Sequence, residues 1–199
     1  MNFSLPRLAV AAFIAASFSA ISPAAQAAAM TAPATSKATC PTLLNNTFPR
    51  LQDDKPESLC QYAGKVILVV NTASYCGFTP QYKGLEALYR TYGKQGLVVL
   101  GFPSNDFHQE MDDSAKIATF CKDTYNVQFP MFAPSHVTEP KPNALYEQLI
   151  RATGDQPKWN FYKYLIGRDG KVVGVYSSLV TPENKDFVAK IRTLIAQQP

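Results

Sequence analysis

The sequence is poor in the residues that usually announce a site. Its 199 residues include two histidines, one tryptophan and four cysteines. His108 and His136 have no ligand spacing with each other or with the cysteines, so no metal centre and no cofactor is expected. The 19 Lys and Arg residues are scattered and the formal net charge is only +4, which leaves no basic stripe for nucleic acid. No internal repeat is visible. There is no C-x-x-C pair either: Cys76-Gly77-Phe78-Thr79 carries threonine where a dithiol enzyme would carry its second thiol. The apolar run over residues 8–21 is 14 residues long, short of the roughly 20 that a membrane helix needs.

That run is preceded by one charged residue, Arg7, and followed by small residues ending Ala25-Gln26-Ala27. This is the pattern of a secretory signal peptide over residues 1–27, cleaved after Ala27. Neither Cys40 nor Cys60 follows a lipidation box. The expected product is an exported protein without a membrane anchor, periplasmic in a Gram-negative cell. Residues 28–39, rich in Ala, Thr, Ser and Pro, read as a disordered lead-in, and residues 40–199 as one domain. Cys40 and Cys60 bracket two short strands, over residues 47–49 and 58–59, about the turn Gln52-Asp53-Asp54-Lys55. In an oxidising compartment these cysteines are expected to pair; the alternative is two buried free thiols.

The chemistry concentrates in residues 65–92, KVILVVNTASYCGFTPQYKGLEALYRTY. Val66 to Val70 form an unbroken apolar run, the pattern of a strand covered on both faces. Leu85, Leu88, Tyr89 and Tyr92 recur at helical spacing, with Thr79 as the cap and Pro80 in the first helical position. Cys76 therefore stands just before a helix N-terminus, where unpaired N–H groups and the helix dipole favour a thiolate nucleophile. Further on come a strand over residues 97–101, a helix over 114–125 that carries Cys121 on its apolar face, a short extended piece at Pro130-Met131-Phe132, and a helix from Ala144 to near Gly154. A hairpin over 161–166 and 171–176 and a last helix from Thr181-Pro182 complete the chain. This order predicts an α/β fold of the thioredoxin-like kind: a central mixed sheet flanked by helices, with an N-terminal β-hairpin.

A thioredoxin-like chain that keeps only its first cysteine suggests a sulfur that attacks a peroxide. The segment NTASYCGFTPQYKGLEALY resembles the active-site signature of the glutathione peroxidase family, with cysteine where some members have selenocysteine. Leu100-Gly101-Phe102-Pro103-Ser104-Asn105-Asp106-Phe107 resembles the family's second motif, and Lys158-Trp159-Asn160-Phe161 its third. The resemblance implies a thiol peroxidase that reduces hydrogen peroxide or organic hydroperoxides through a sulfenic acid on Cys76. It places Gln109, Trp159 and Asn160 around that sulfur as neutral donors. Read without it, these are a polar loop residue, a core aromatic and a turn former. It also implies that Cys121, otherwise a small core residue, resolves the sulfenic acid as a disulfide, to be reduced by a thioredoxin-like protein. No arginine cluster recommends itself as a glutathione clamp.

Two departures from the family pattern bear on the site. Where members often read Phe-Gly-Gly-Gln-Glu, this chain has Phe107-His108-Gln109-Glu110, one residue shorter, which stiffens the loop that places Gln109; His108 reads as a surface loop residue, the alternative being that it reaches the site. The stretch between Met131 and Trp159 lacks the insertion through which the larger animal enzymes form tetramers, so a monomer is expected. The competing readings are a periplasmic thiol-disulfide oxidoreductase, disfavoured by Thr79, and a non-catalytic metal-delivery or binding module, disfavoured by proline at position 80.

Overall fold

The computed structural model describes Met1 and residues 39–197, so the expected signal peptide and lead-in lie, but for Met1 and Thr39, outside the described residues. Strands β1 (Thr47–Pro49) and β2 (Pro56–Ser58) pair antiparallel. The second strand lies earlier than residues 58–59 because Leu59–Tyr62 turns into a 3-10 helix, with the Ser58 hydroxyl accepting from the Cys60 N–H. Cys40 and Cys60 are joined as a disulfide.

The main sheet grows from β3 (Val66–Thr72), in which all seven residues are buried. Each large apolar side chain there contributes about 1.5–3 kcal/mol by leaving water. Helix α1 (Gln81–Tyr92) carries the chain to β4 (Leu97–Pro103), which runs parallel to β3 in a register from Val66↔Leu97 to Thr72↔Pro103. After α2 (Ser114–Tyr125) and α3 (Ala144–Thr153), strand β5 (Lys163–Ile166) returns antiparallel to β3, and β6 (Val172–Tyr176) pairs with β5. The sheet order is β4-β3-β5-β6. Alternation along β3 builds two cores: Val66, Leu68 and Val70 pack on the side of α1, α2 and the last helix, α4 (Lys185–Ala196), while Ile67 and Val69 pack on the side of α3. Pro130 to Phe132 makes isolated bridges, Met131 to Gly101 and Phe132 to Arg50. A mixed sheet between helices, with a separate N-terminal hairpin, is the thioredoxin-like α/β architecture.

Capping side chains fix the helix limits. Asp113 accepts from the Lys116 N–H to start α2, and Asn143 accepts from Leu145 and Tyr146 to start α3. The last helix begins at Lys185 rather than at Thr181, because the Asn184 side chain accepts from the Asp186 and Phe187 N–H groups.

The topology decides where chemistry can happen. Because β3 and β4 are parallel, the loops that follow them, residues 73–80 and 104–113, leave the same edge of the sheet. Because β5 is antiparallel and its Lys163 sits opposite Val70, the segment entering β5, residues 159–162, arrives at that edge too.

Candidate active site

Cys76 sits in the turn between β3 and α1. Its Sγ accepts from the Phe78 N–H at 3.4 Å, and the residue is 6% exposed between the exposed Tyr75 and Gly77. A Cβ on Gly77 would meet nothing within 4 Å, so the turn is open to solvent on that side. Thr79 does not cap the helix. The backbone is already turning before α1, with the Thr79 N–H on the Cys76 carbonyl at 3.0 Å and the Gln81 N–H on the Phe78 carbonyl at 2.9 Å. The cap position falls on Pro80, which makes no side-chain bond. The Thr79 hydroxyl is used inside the turn instead, accepting from the Cys76 N–H at 3.1 Å and donating to the Ala73 carbonyl at 2.9 Å. The residue in the place of a second thiol thus pins the peptide that carries the first.

The shortened loop after β4 still reaches the site. His108 takes a left-handed backbone, φ 56°, and its N–H closes a turn onto the Asn105 carbonyl at 2.9 Å. A strained non-glycine conformation therefore does what glycines do elsewhere. The His108 side chain is exposed. Gln109 then joins two segments: its carbonyl accepts from the Tyr75 N–H at 2.9 Å, and its Oε1 accepts from Asn160 Nδ2 at 3.0 Å. Asp106 anchors the same loop from the other side. Burial pushes its carboxyl up, but the Val137 N–H, His136 and the Thr138 hydroxyl and N–H outweigh that and hold it below the usual carboxylate range.

Trp159 and Asn160 arrive on the segment before β5. Trp159 is 40% exposed and tilted against Phe107 with ring centroids 5.3 Å apart, so it is not the core aromatic of the plainer reading. Asn160 is fully buried, and its Oδ1 has no partner among the described residues. The structure thereby brings Cys76, Gln109 and Asn160 to one sheet edge through hydrogen-bonded neighbours, with Trp159 beside them.

Cys121 lies on α2, in the same buried core as Cys76. It is 3% exposed within α2, unbonded like Cys76, and it borders a surface hollow of about 560 Å³ shared with Gln52, Lys122 and Gln128. Burial pushes its thiol up to about 11, against the nearby Tyr82 hydroxyl and with the Glu110 charge adding to it, so the packed helix holds it protonated.

Three supporting residues escape a reading of the sequence. Asn71, buried at the end of β3, donates to the Trp159 carbonyl and accepts from the Tyr162 N–H, both at 3.1 Å. Glu110 accepts at one oxygen from the Ser74 N–H at 3.0 Å and the Met111 N–H at 2.9 Å, tying the cysteine turn to the loop of Gln109. Burial raises its carboxyl above the ordinary range, against the Ser74 and Met111 donors. The Ser178 hydroxyl donates to the Asn160 carbonyl at 2.6 Å, and its own carbonyl accepts from Gln81 at 2.7 Å. The one signal available was a polar residue closing an apolar run, as Asn71 does. Among the described residues no group of three or more His, Cys, Asp or Glu is placed to hold a metal.

A cysteine sulfur at a helix entry that accepts from a backbone N–H, with a threonine in the place of a second thiol, suits attack on an O–O bond, in which charge passes from sulfur to a departing oxygen. The comparisons agree. The glutathione peroxidase model matches residues 45–150. The chain is 43% identical over 154 residues to the hydroperoxy fatty acid reductase gpx1 of Synechocystis sp., covering 72% of this chain and 90% of that one. It is 45% identical over 141 residues to the glutathione peroxidase-like peroxiredoxin gpx1 of Schizosaccharomyces pombe, covering 68% and 89%. The crystal structure of Trgpx in apo form aligns with a TM-score of 0.63 at 38% identity, covering 78% of this chain and 97% of that one. The chain belongs to the glutathione peroxidase family and is a thiol peroxidase.

Proposed function

We propose that Cys76 is the peroxidatic residue, that Gln109, Trp159 and Asn160 supply its donors, that Cys121 resolves the oxidised sulfur, and that a thioredoxin-like protein in the periplasm closes the cycle on a monomeric enzyme. The Cys76 thiolate attacks one peroxide oxygen, the O–O bond breaks, and the departing oxygen takes a proton and leaves as water or an alcohol. The sulfur is left as sulfenic acid. The Cys121 thiol then gives up its proton and attacks Cys76, a disulfide forms and water leaves. A dithiol partner reduces that disulfide and is itself oxidised to a disulfide.

The observation that carries this reading is the bond from Asn160 Nδ2 to Gln109 Oε1, with the Gln109 carbonyl held by the Tyr75 N–H next to Cys76. It supports a donor ring around the sulfur despite the altered loop. The exposed Tyr75, Trp159 and Leu179 give the surface an apolar character that suits organic hydroperoxides alongside hydrogen peroxide. The five arginines of the described residues, Arg50, Arg90, Arg151, Arg168 and Arg192, all lie outside the three loops of the site, which favours a protein reductant over glutathione. In this reading the end of α2, within which Cys121 is buried, opens to let it meet Cys76. Thr119, Asp123 and Thr124 are weak helix formers, so opening is inexpensive.

Cys76→Ser is expected to abolish peroxide consumption. Cys121→Ser is expected to keep the first oxidation of Cys76, seen as a trapped sulfenic acid, and to lose sustained turnover with thioredoxin. Peroxidase activity retained in the first variant refutes the role of Cys76. Unchanged thioredoxin-coupled turnover in the second returns Cys121 to the core.

A further inference from the structure

Lys163, the first residue of β5, is completely buried. Its one hydrogen bond among the described residues runs from Nζ to the Phe161 carbonyl at 2.7 Å. Phe161 has φ 62°, a left-handed conformation that a bulky side chain rarely adopts and that persists only where its surroundings hold it. The peptides on either side are clamped as well. Asn71 holds the Trp159 carbonyl and the Tyr162 N–H, its own carbonyl accepts from the Phe161 N–H at 2.7 Å, and Ser178 holds the Asn160 carbonyl. The Phe161 carbonyl is a further buried polar group of the strained turn, and Lys163 Nζ donates to it.

We propose that Lys163 is a positioning residue of the peroxidase site, holding the turn at Phe161 by this hydrogen bond and so keeping the Asn160 side chain against Gln109. The reading rests on the functional assignment above and deepens it.

A merely structural lysine would be a poor choice here. Burial pulls its ammonium down to about 7, with Glu183, the charged group facing it, pulling the other way. A folded-state value below the ordinary 10.5 means that stability is fully present above 10.5 and is lost as the pH falls toward 7. At neutral pH the lysine therefore lowers stability, and an apolar side chain of the same length would fill the space without that cost. What methionine could not supply is the donor to Phe161.

The test is Lys163→Met, read in three ways. The variant is expected to fold, with the lost donor to Phe161 and the relief of the buried amine opposing each other in its melting temperature. Its side-chain amide resonances for Asn160 are expected to shift away from their wild-type positions. Single-turnover oxidation of Cys76 by peroxide is expected to slow at least tenfold. A variant that fails to fold overturns the proposal, because Lys163 is then part of the scaffold; so do unchanged Asn160 resonances or a wild-type oxidation rate. Failure of the wild-type Cys76 to react with peroxide would sink the functional assignment instead, and the Asn160 resonances still test the positioning role on their own.

Discussion

Asn71→Ala tests the clamp under the Trp159-Asn160 segment most directly. The side chain is wholly buried and serves two backbone groups 88 and 91 residues away, the Trp159 carbonyl and the Tyr162 N–H. Alanine leaves both without a partner in a place water does not reach. Each orphaned group costs about 1–3 kcal/mol, so the expected loss is about 2–6 kcal/mol, a large share of the roughly 5–15 kcal/mol that stabilises a typical domain. For a domain of this size that is a fall in melting temperature of about 4–24 °C. Urea unfolding followed by circular dichroism measures it, with Asn71→Leu as the companion variant because leucine restores volume but no hydrogen bond. Both variants should lose similar amounts, and both should slow the oxidation of Cys76, since the segment carrying Asn160 is no longer anchored to β3. A loss below about 1 kcal/mol in Asn71→Ala, or wild-type stability in Asn71→Leu, would refute the reasoning.

The remaining predictions concern the disulfide and a buried carboxyl. Replacing Cys40 and Cys60 together by alanine should lower stability by about 3 kcal/mol on the chain-entropy model, the bond closing a loop with a sequence separation of 20; peroxidase turnover at 25 °C should stay within about twofold of the wild type, and an abolished activity in a folded variant would contradict a structural role. Glu110→Gln keeps an acceptor for the Ser74 and Met111 N–H groups while removing a carboxyl whose value burial raises above 4.5. A raised carboxyl contributes stability that is fully present below 4.5 and lost as the pH rises through its folded value, so the ionised group opposes folding at neutral pH. The variant should therefore melt no lower than the wild type at pH 7 and show a flatter stability profile above pH 4.5; a clear drop in melting temperature at pH 7 would contradict this.

What the sequence alone determined is what short-range physics encodes. The apolar run at Val66 to Val70 requires a buried strand, Gly154 stops α3 with a left-handed C-terminus at φ 69°, and the 12 residues of α2 carry their own periodicity. Cys76 before a helix entry was legible for the same reason. Local signals misled where two compete within one turn: Thr79 lost the helix cap to the turn around Cys76, and Asn184 out-capped Thr181. Only the tertiary structure decided which polar residues meet. The Gln109 to Asn160 contact spans 51 residues, and the bonds of Asn71 span still more. They form because β3 and β4 run parallel and β5 runs antiparallel, which delivers three loops to one edge of the sheet. No periodicity marks Asn71, Glu110, Lys163 or Ser178, because each is a single polar residue whose partners are fixed by strand register rather than by its neighbours in the chain.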